Sequence, residues 1–424
     1  ALATVIKTHD LKLAHSTSEA VLKEQQDTAL KSIAKETNVL SQLAIRSENI
    51  AELEETLGKL QGIVNRSRGT ALSGTGKTQV LRAKAGKHFS ELHVKNYKKL
   101  QNLSLKKISK INLLAGLNNS GKTTLLEAIY LLVRQNDIGG VLEVIRNRGK
   151  IPEDRINMEW LVKQLAGDIN VAGTFDQQET HVSIRRYDDN STDLDKSRYL
   201  TSLEITAQFG HTQQRSMTHL FKGRDRDTRA ESIKLLSQVV YSSPFFLNEP
   251  QHYASYYYKS VQSKVLPTIL SFIRQYVLPS VSDIRLVDDL QRFLVDDNQF
   301  EKAQDLANYG EGLQRIFFLS LLFAAAQDGV LLIDEFENAI HTELIGKFAP
   351  FVHQLAVEFN VQVFMTSHSK ECIDAFVKNV PEMDDFTFHT LLTDDNNRVV
   401  VREYDGKKFR RLLEIGDIDL RRMR

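Results

Sequence analysis

The chain has 424 residues, with 55 Lys and Arg against 54 Asp and Glu for a net charge of +1, and 42% of its residues are apolar. That balance is ordinary for a globular protein and excludes a global basic field drawing in nucleic acid, so any such contact has to be local. The single cysteine, Cys372, excludes an internal disulfide and a multi-cysteine zinc site. No apolar run approaches the roughly 18 residues that span a bilayer, so a cytoplasmic protein without membrane contact is expected.

Residues 1–68 read as helical. Val39, Leu43, Ile50, Leu53, Leu57, Leu60 and Val64 fall on the a and d positions of one heptad register, which only Arg46 interrupts. Two readings stay open, a short coiled coil that docks a partner and an amphipathic helix packed on its own domain. Residues 69–87 read as a linker. Within them Ala71-Leu-Ser-Gly-Thr-Gly76-Lys77-Thr78 is a loose copy of a phosphate loop, but no strand precedes it and Ala stands at its first position.

From Phe89 the pattern changes. Phe89–Tyr97 and Leu103–Leu105 read as a strand pair, and Ile111–Ala115 as the next strand. The loop Gly116-Leu-Asn-Asn-Ser-Gly121-Lys122-Thr123 follows, and then an apolar helical stretch, Thr124–Leu132. Strand, glycine loop and helix are the context that G-x-x-x-x-G-K-[ST] requires. The glycines let backbone N–H groups of Asn118, Asn119, Ser120, Gly121 and Thr124 curl round phosphate oxygens, where the helix N-terminus adds positive potential. Lys122 is expected on the β- and γ-phosphates and the Thr123 hydroxyl on Mg²⁺. A bound nucleoside triphosphate, ATP, is therefore expected.

Further along, strands are expected at His181–Arg186 and Leu203–Phe209. Lys222–Arg229 reads as a solvated charged loop, and the stretch beyond Pro250 as helix rich in tyrosine. Tyr253, Tyr256, Tyr257 and Tyr258 are read as core in preference to a partner surface. Tyr309-Gly310-Glu311-Gly312 opens an apolar helix, a glycine turn suited to an anion. Val330–Ile333 is an apolar strand ending in Asp334 and Glu335. Val361–Met365 is another, leading into Thr366-Ser367-His368-Ser369. Beside the phosphate loop Asp334 would hold the Mg²⁺ shell and Glu335 would polarise the attacking water. Asp394–Arg398 reads as a hairpin turn before a strand near Val399–Tyr404.

The order of these motifs, together with His93–Lys99 before the loop, resembles the OLD-like AAA family ATPases over residues 88–424. That group is similar to ABC-type ATPases and to the heads of structural-maintenance-of-chromosomes proteins. The resemblance implies an α/β fold: a P-loop NTPase with an ABC/SMC-head-like core, a mixed sheet flanked by helices, and a helical lobe at about 137–310 between the two Walker motifs. It implies that Gly310, Glu311 and Gly312 form the signature loop, with Tyr309 in place of the usual serine. His368 would be the switch histidine contacting the γ-phosphate and the water, so that Glu335, His368 and Lys122 carry the catalysis. Two heads would sandwich two ATP molecules, the loop Gly116–Thr123 of one meeting Gly310–Gly312 of the other.

The OLD nucleases of this group carry a Toprim nuclease domain after the ATPase, whereas 56 residues follow His368 here. The resemblance therefore points to stand-alone ATPases of anti-phage systems, such as the Septu (PtuA) and retron-associated types, whose nuclease or toxin is a separate chain. Two alternatives stand beside a regulatory ATPase. One is a repair or maintenance ATPase that clamps nucleic acid directly, through Lys106, Lys107 and Lys110 or Arg421, Arg422 and Arg424. The other is a scaffold that binds ATP without hydrolysing it. Neither Gln208 nor the segment before Tyr241-Ser-Ser-Pro244 settles the position of a glutamine loop.

Overall fold

The computed structural model describes residues 78–149, 157–165, 167–189, 196–223, 226–230, 232–244, 253–287, 292–380, 382–416 and 418–422. The expected helical segment at 1–68 and most of the linker at 69–87 lie outside them.

The elements in chain order begin with β1 (Thr78–Val80), β2 (Phe89–Tyr97), β3 (Leu100–Leu105), β4 (Ile111–Ala115), α1 (Lys122–Arg134), α2 (Ile138–Gly149) and α3 (Met158–Gln164). Then come β5 (Ile169–Phe175), β6 (Gln178–Tyr187), β7 (Tyr199–Phe209), β8 (Thr212–Phe221), β9 (Arg226–Ala230), β10 (Ile233–Leu235) and β11 (Val239–Ser242). Two helices, α4 (Tyr253–Gln262) and α5 (Leu266–Tyr276), precede β12 (Val281–Val287), β13 (Arg292–Asp297) and β14 (Gln304–Asp305). The last third runs α6 (Glu311–Ala325), β15 (Val330–Ile333), α7 (Thr342–Glu358), β16 (Gln362–Ser367), α8 (Lys370–Asn379), β17 (Phe386–Thr393), β18 (Val399–Asp405) and α9 (Gly406–Ile415).

A six-stranded sheet in the order β11-β15-β16-β4-β17-β18 carries the phosphate loop. Its first five strands are parallel, and β18 returns antiparallel through the expected turn, where Asp394 Oδ1 accepts from Asn396 N and Arg398 N. The central strands β15, β16 and β4 are buried at every residue and mostly apolar, because both faces are covered. Their period of two divides them between two cores. Ile111, Leu113, Leu331, Ile333, Val363 and Met365 pack with α6, α7 and α8. Leu114, Leu332 and Phe364 pack with α1 and a second sheet. That second sheet is seven-stranded and antiparallel, in the order β3-β2-β5-β6-β7-β8-β9. The mixed α/β class with helix-flanked sheets is therefore what the chain adopts.

Three expectations need correcting. The segment at about 137–310 is not a helical lobe. It holds α2, α3, α4 and α5, but β5 to β9 complete the antiparallel sheet and β12 to β14 form a further three-stranded one. The strands of the larger sheet bury one face against α1 and leave the other polar, which needs extended backbone. Residues 226–230, read as a solvated loop, are the edge strand β9 paired to β8; a charged strand suits an unpaired edge. The end of the expected linker is also docked. β1 pairs parallel with β10, and Ala85 is buried. Of the four tyrosines, Tyr253 stacks on Phe318 at 4.0 Å, Tyr256 and Tyr257 pack on the core, and Tyr258 is 59% exposed.

Candidate functional site

Parallel strands deliver their C-terminal ends to one edge, where ligands of α/β sheets bind. Here the register pairs Ala115 of β4 with Ser367 of β16, and Met365 of β16 with Ile333 of β15. Gly116, Asp334 and the Thr366–His368 segment therefore emerge side by side.

The loop is shaped by its glycines. Gly121 has φ 107°, in the region that favours glycine, and caps α1. A Cβ on Gly116 would lie 2.5 Å from Ser120 Oγ and 2.8 Å from the Leu391 carbonyl oxygen. Asn119 takes φ 62° and accepts from Lys99 Nζ at 3.0 Å, while Asn118 is exposed. Lys122 Nζ donates to the carbonyls of Gly116 (2.8 Å) and Leu117 (3.0 Å), so it lies over the loop. Burial lowers its pKa, opposed by Asp334, Glu337 and Glu335. Among the described residues the buried Ser120 hydroxyl has no hydrogen-bond partner. The Thr124 hydroxyl is turned away from the loop and accepts from Arg148 at 2.8 Å. Arg148 in turn reaches Glu127, which also accepts from Tyr97 OH and Lys98 Nζ. This buried, fully partnered charge ties α1 to β2 and α2.

Asp334 is the hub. Thr123 Oγ1 donates to its Oδ2 at 2.8 Å and Thr366 Oγ1 to its Oδ1 at 2.5 Å. Burial raises its pKa, and these two hydrogen bonds oppose the rise. Glu335 follows with φ 50°, a conformation a glutamate holds only when its surroundings impose it. Here Glu335 N donates to Thr366 Oγ1 at 2.8 Å, and Arg315 Nη2 donates to the Glu335 carbonyl at 3.0 Å. Arg315 is 1% exposed, and burial lowers its pKa to about 10. His368 is held by Glu337, whose Oε1 accepts from His368 N at 2.9 Å and lies 3.2 Å from His368 Nδ1. Mg²⁺ fits this donor set, because a buried carboxylate with a loop hydroxyl on it is hard-oxygen chemistry and the loop leaves no room for a side chain at Gly116.

Gly310, Glu311 and Gly312 stand apart. They start α6 and are exposed or half-buried, and among the described residues no hydrogen bond or ion pair links them to Gly116–Thr123. Tyr309 OH is occupied within the same chain, donating to Asp297 Oδ2 at 3.1 Å. The glutamine-loop candidates also separate. Gln208 sits on the antiparallel sheet and donates to the Gly210 carbonyl. Ser242, ending β11, accepts Asp334 N at 2.9 Å on its carbonyl and so flanks the site.

The profile of the family described as "AAA domain, putative AbiEii toxin, Type IV TA system" matches residues 111–374, from the first residue of β4 into α8. The chain belongs to this AAA family. It is also similar to an "ATP/GTP phosphatase" of Helicobacter pylori, 23% identical over 357 residues, which are 74% of this chain and 95% of that one. A shorter stretch of 45 residues is 44% identical to the DNA replication and repair protein RecF of Nitrosococcus oceani, covering 11% of this chain and 12% of that one. Among solved structures, the AAA chain is similar to the Smc head domain with an extended coiled coil from Pyrococcus furiosus. That match has 12% identity and a TM-score of 0.41, covering 77% of this chain and 99% of that one.

Sequence reasoning did not single out Thr366, Arg315 or Glu337 as parts of this AAA site. Glu337 stands two residues past the acid pair and Thr366 two before His368, so spacing was the only signal. Arg315 in an apolar helix was the more readable one, because a buried arginine requires partners.

Proposed function

We propose that this AAA protein is a Mg²⁺-dependent ATPase that pairs with a second copy round ATP and controls a separate effector, a nuclease or toxin, in anti-phage defence of the Septu or retron-associated kind. The observation that carries the ATPase part is the hydrogen-bonded row Thr123–Asp334–Thr366, which joins the first turn of α1 to the ends of β15 and β16 in one cluster of hydroxyls and carboxylate beside Lys122. The relative named as an ATP/GTP phosphatase supports hydrolysis.

Each residue has a role that its position supports. Backbone N–H groups of Gly116–Thr124 and the Lys122 ammonium bind the phosphates. Mg²⁺, held by Thr123 and Asp334, would neutralise charge between the β- and γ-phosphates. Glu335 accepts the proton of the attacking water as its oxygen bonds to the γ-phosphorus and the bond to the β-phosphate oxygen breaks. His368, with Nδ1 toward Glu337, presents Nε2 to the γ-phosphate. Among the described residues no hydrogen bond links the turn Gly310–Gly312 to its own phosphate loop, which suits completion of the site by a second head.

Control of a separate effector rests on the resemblance of the motif order to stand-alone ATPases of anti-phage systems; the family's description, a putative toxin of a toxin–antitoxin system, names no separate effector. The second reading, direct clamping of DNA, is favoured by the stretch shared with RecF. Against it, two of its six basic candidates are already engaged: Lys110 Nζ donates to Asn360, and Arg421 pairs with Asp419.

The test is tagged purification from the native host, wild type beside Glu335→Gln and Lys122→Ala, with and without Mg·ATP. The expected outcome is ATP hydrolysis by the wild type only, an ATP-stabilised dimer of Glu335→Gln, and a stoichiometric effector retained with ATP. Recovery of nucleic acid alone, lost as salt is raised, sinks the effector reading in favour of the clamp.

A further inference from the structure

The switch histidine is gripped from two sides, and the second grip comes from a part of the chain that no motif covers. On one side stands Glu337, already described. On the other stands the turn at 419–421. Arg421 Nη1 donates to the His368 carbonyl at 2.9 Å. The guanidinium is itself fixed, because Nε and Nη2 donate to the two carboxylate oxygens of Asp419, each at 2.8 Å. Arg421 N also donates to Asp419 Oδ1 at 3.0 Å, which closes the turn. The turn in turn is anchored in the fold. Leu420 is 1% exposed within the core, and its carbonyl accepts from the buried Thr390 Oγ1 of β17 at 2.8 Å.

This arrangement is more than a surface ion pair. An exposed arginine paired with a single carboxylate contributes little. Here the pairing leaves one guanidinium nitrogen aimed at a single backbone oxygen, that of the residue whose ring faces the site. Glu337 fixes the other end of the same residue through its N–H and Nδ1. A histidine with both backbone groups and one ring nitrogen held has one ring orientation left, and its Nε2 is then set. The His368 side chain remains 45% exposed, so packing alone does not hold it.

We propose that Asp419 and Arg421 form a positioning clamp for His368, and that release of this turn slows hydrolysis while leaving nucleotide binding intact. The inference rests on the ATPase reading above. Arg421 is a positioning residue, since its contact is with the backbone carbonyl of His368.

The experiment compares Arg421→Ala, Arg421→Lys and Asp419→Asn with the wild-type full chain. Turnover at saturating Mg·ATP, the Kd of a fluorescent ATP analogue and the melting temperature are measured for each. Misplacing a reacting group by about 1 Å costs up to about 10²-fold, so kcat of Arg421→Ala should fall about 10- to 10²-fold with Kd changed less than about twofold. Arg421→Lys should recover part of the loss, since one donor can still reach the carbonyl, and Asp419→Asn should fall between. A kcat equal to wild type overturns the clamp. So does a parallel loss of kcat, Kd and melting temperature, which marks a structural role only. Histidine-selective NMR provides a readout independent of turnover, with the His368 ring resonance assigned through His368→Gln. That resonance should shift in Arg421→Ala, and an unmoved resonance overturns the clamp even if the wild type hydrolyses nothing. A wild type that binds ATP without turnover, with the His368 resonance shifted by Arg421→Ala, fails the ATPase reading and keeps the clamp.

Discussion

Thr123 and Asp334 are 211 positions apart, and the hydroxyl of the first donates to a carboxylate oxygen of the second at 2.8 Å. Strand order explains the meeting. β16 lies between β4 and β15, so Thr366 at its end stands between the two and takes the other carboxylate oxygen. Burial works against charge on Asp334, and two hydroxyl donors work for it. Thr366 thus orients the carboxylate proposed to hold Mg²⁺. Thr366→Val, which keeps the shape and removes the donor, should weaken Mg²⁺-supported nucleotide binding about 10- to 100-fold, the range for groups that orient metal ligands. Calorimetric titration of Mg·ATP against ATP with chelator measures this. Equal Mg²⁺ dependence in the variant and the wild type would show that Thr366 only caps the strand.

Gly116 offers a steric test of the loop. A methyl group there would press on Ser120 Oγ at 2.5 Å and on the Leu391 carbonyl oxygen at 2.8 Å. The second is backbone of β17 and cannot swing aside. Gly116→Ala should therefore move the loop and not its neighbour. Stability should fall by about 1–3 kcal/mol, the usual cost of overpacking, and ATP affinity by about tenfold or more, because backbone N–H groups bind phosphate only where they converge. Urea unfolding and analogue binding separate the two effects. Unchanged affinity would mean that the loop binds phosphate without this curvature.

How much of this was legible beforehand follows from how local each signal is. Gly116–Thr123, Asp334–Glu335 and Thr366–His368 each end an apolar strand, and the strand carries the context on its own. The hairpin at Asp394–Arg398 was readable for the same reason. The antiparallel sheet was legible only in part: β2, β3, β6 and β7 were expected as strands, whereas β5, β8 and β9 were not. Its β5–β6 turn uses Asp176 and Gln177 at φ 46° and 64°, where Asn-Gly would have announced a two-residue hairpin. β9 is charged enough to resemble a loop. The expected helical lobe was carried over from the family resemblance, although strands were expected inside it at His181–Arg186 and Leu203–Phe209. Arg315 and Glu337 acquire their parts from contacts at sequence separations of 20 and 31, and no window along the chain shows those.

Arg315 holds the backbone that aims Glu335. Its Nη2 reaches the carbonyls of Glu335 at 3.0 Å and Asp334 at 3.4 Å, and Glu335 itself sits at φ 50°. With its pKa lowered only to about 10, the guanidinium stays charged at neutral pH. Arg315→Ala leaves a cavity and removes a donor from two buried carbonyls. The expected cost is about 3 kcal/mol in urea unfolding, together with a kcat that falls further than that of a core substitution of equal stability cost. Val363→Ala, in β16 and away from the acids, is the control. Equal kcat losses in the two variants would assign Arg315 to stability alone.

His88 supplies a pH-dependent stability that the site does not share. It is 6% exposed, lies edge-on to Phe175 at 5.9 Å, and its Nε2 has no hydrogen-bond partner among the described residues. Burial, reinforced by the charge of Lys110, lowers its pKa from 6.5 to about 4. Between those values the unfolded chain binds a proton that the folded one refuses, so stability rises with pH there. The contribution is complete above about pH 6.5 and is lost as pH falls through about 4, amounting to about 3 kcal/mol at about 1.36 kcal/mol per pKa unit. His88→Leu, which is apolar and cannot titrate, should flatten the urea-unfolding curve over that window by up to this amount while matching or exceeding the wild type at pH 4.5. Parallel curves for the two proteins from pH 7.5 to 4.5 would show that His88 charges freely in the folded state.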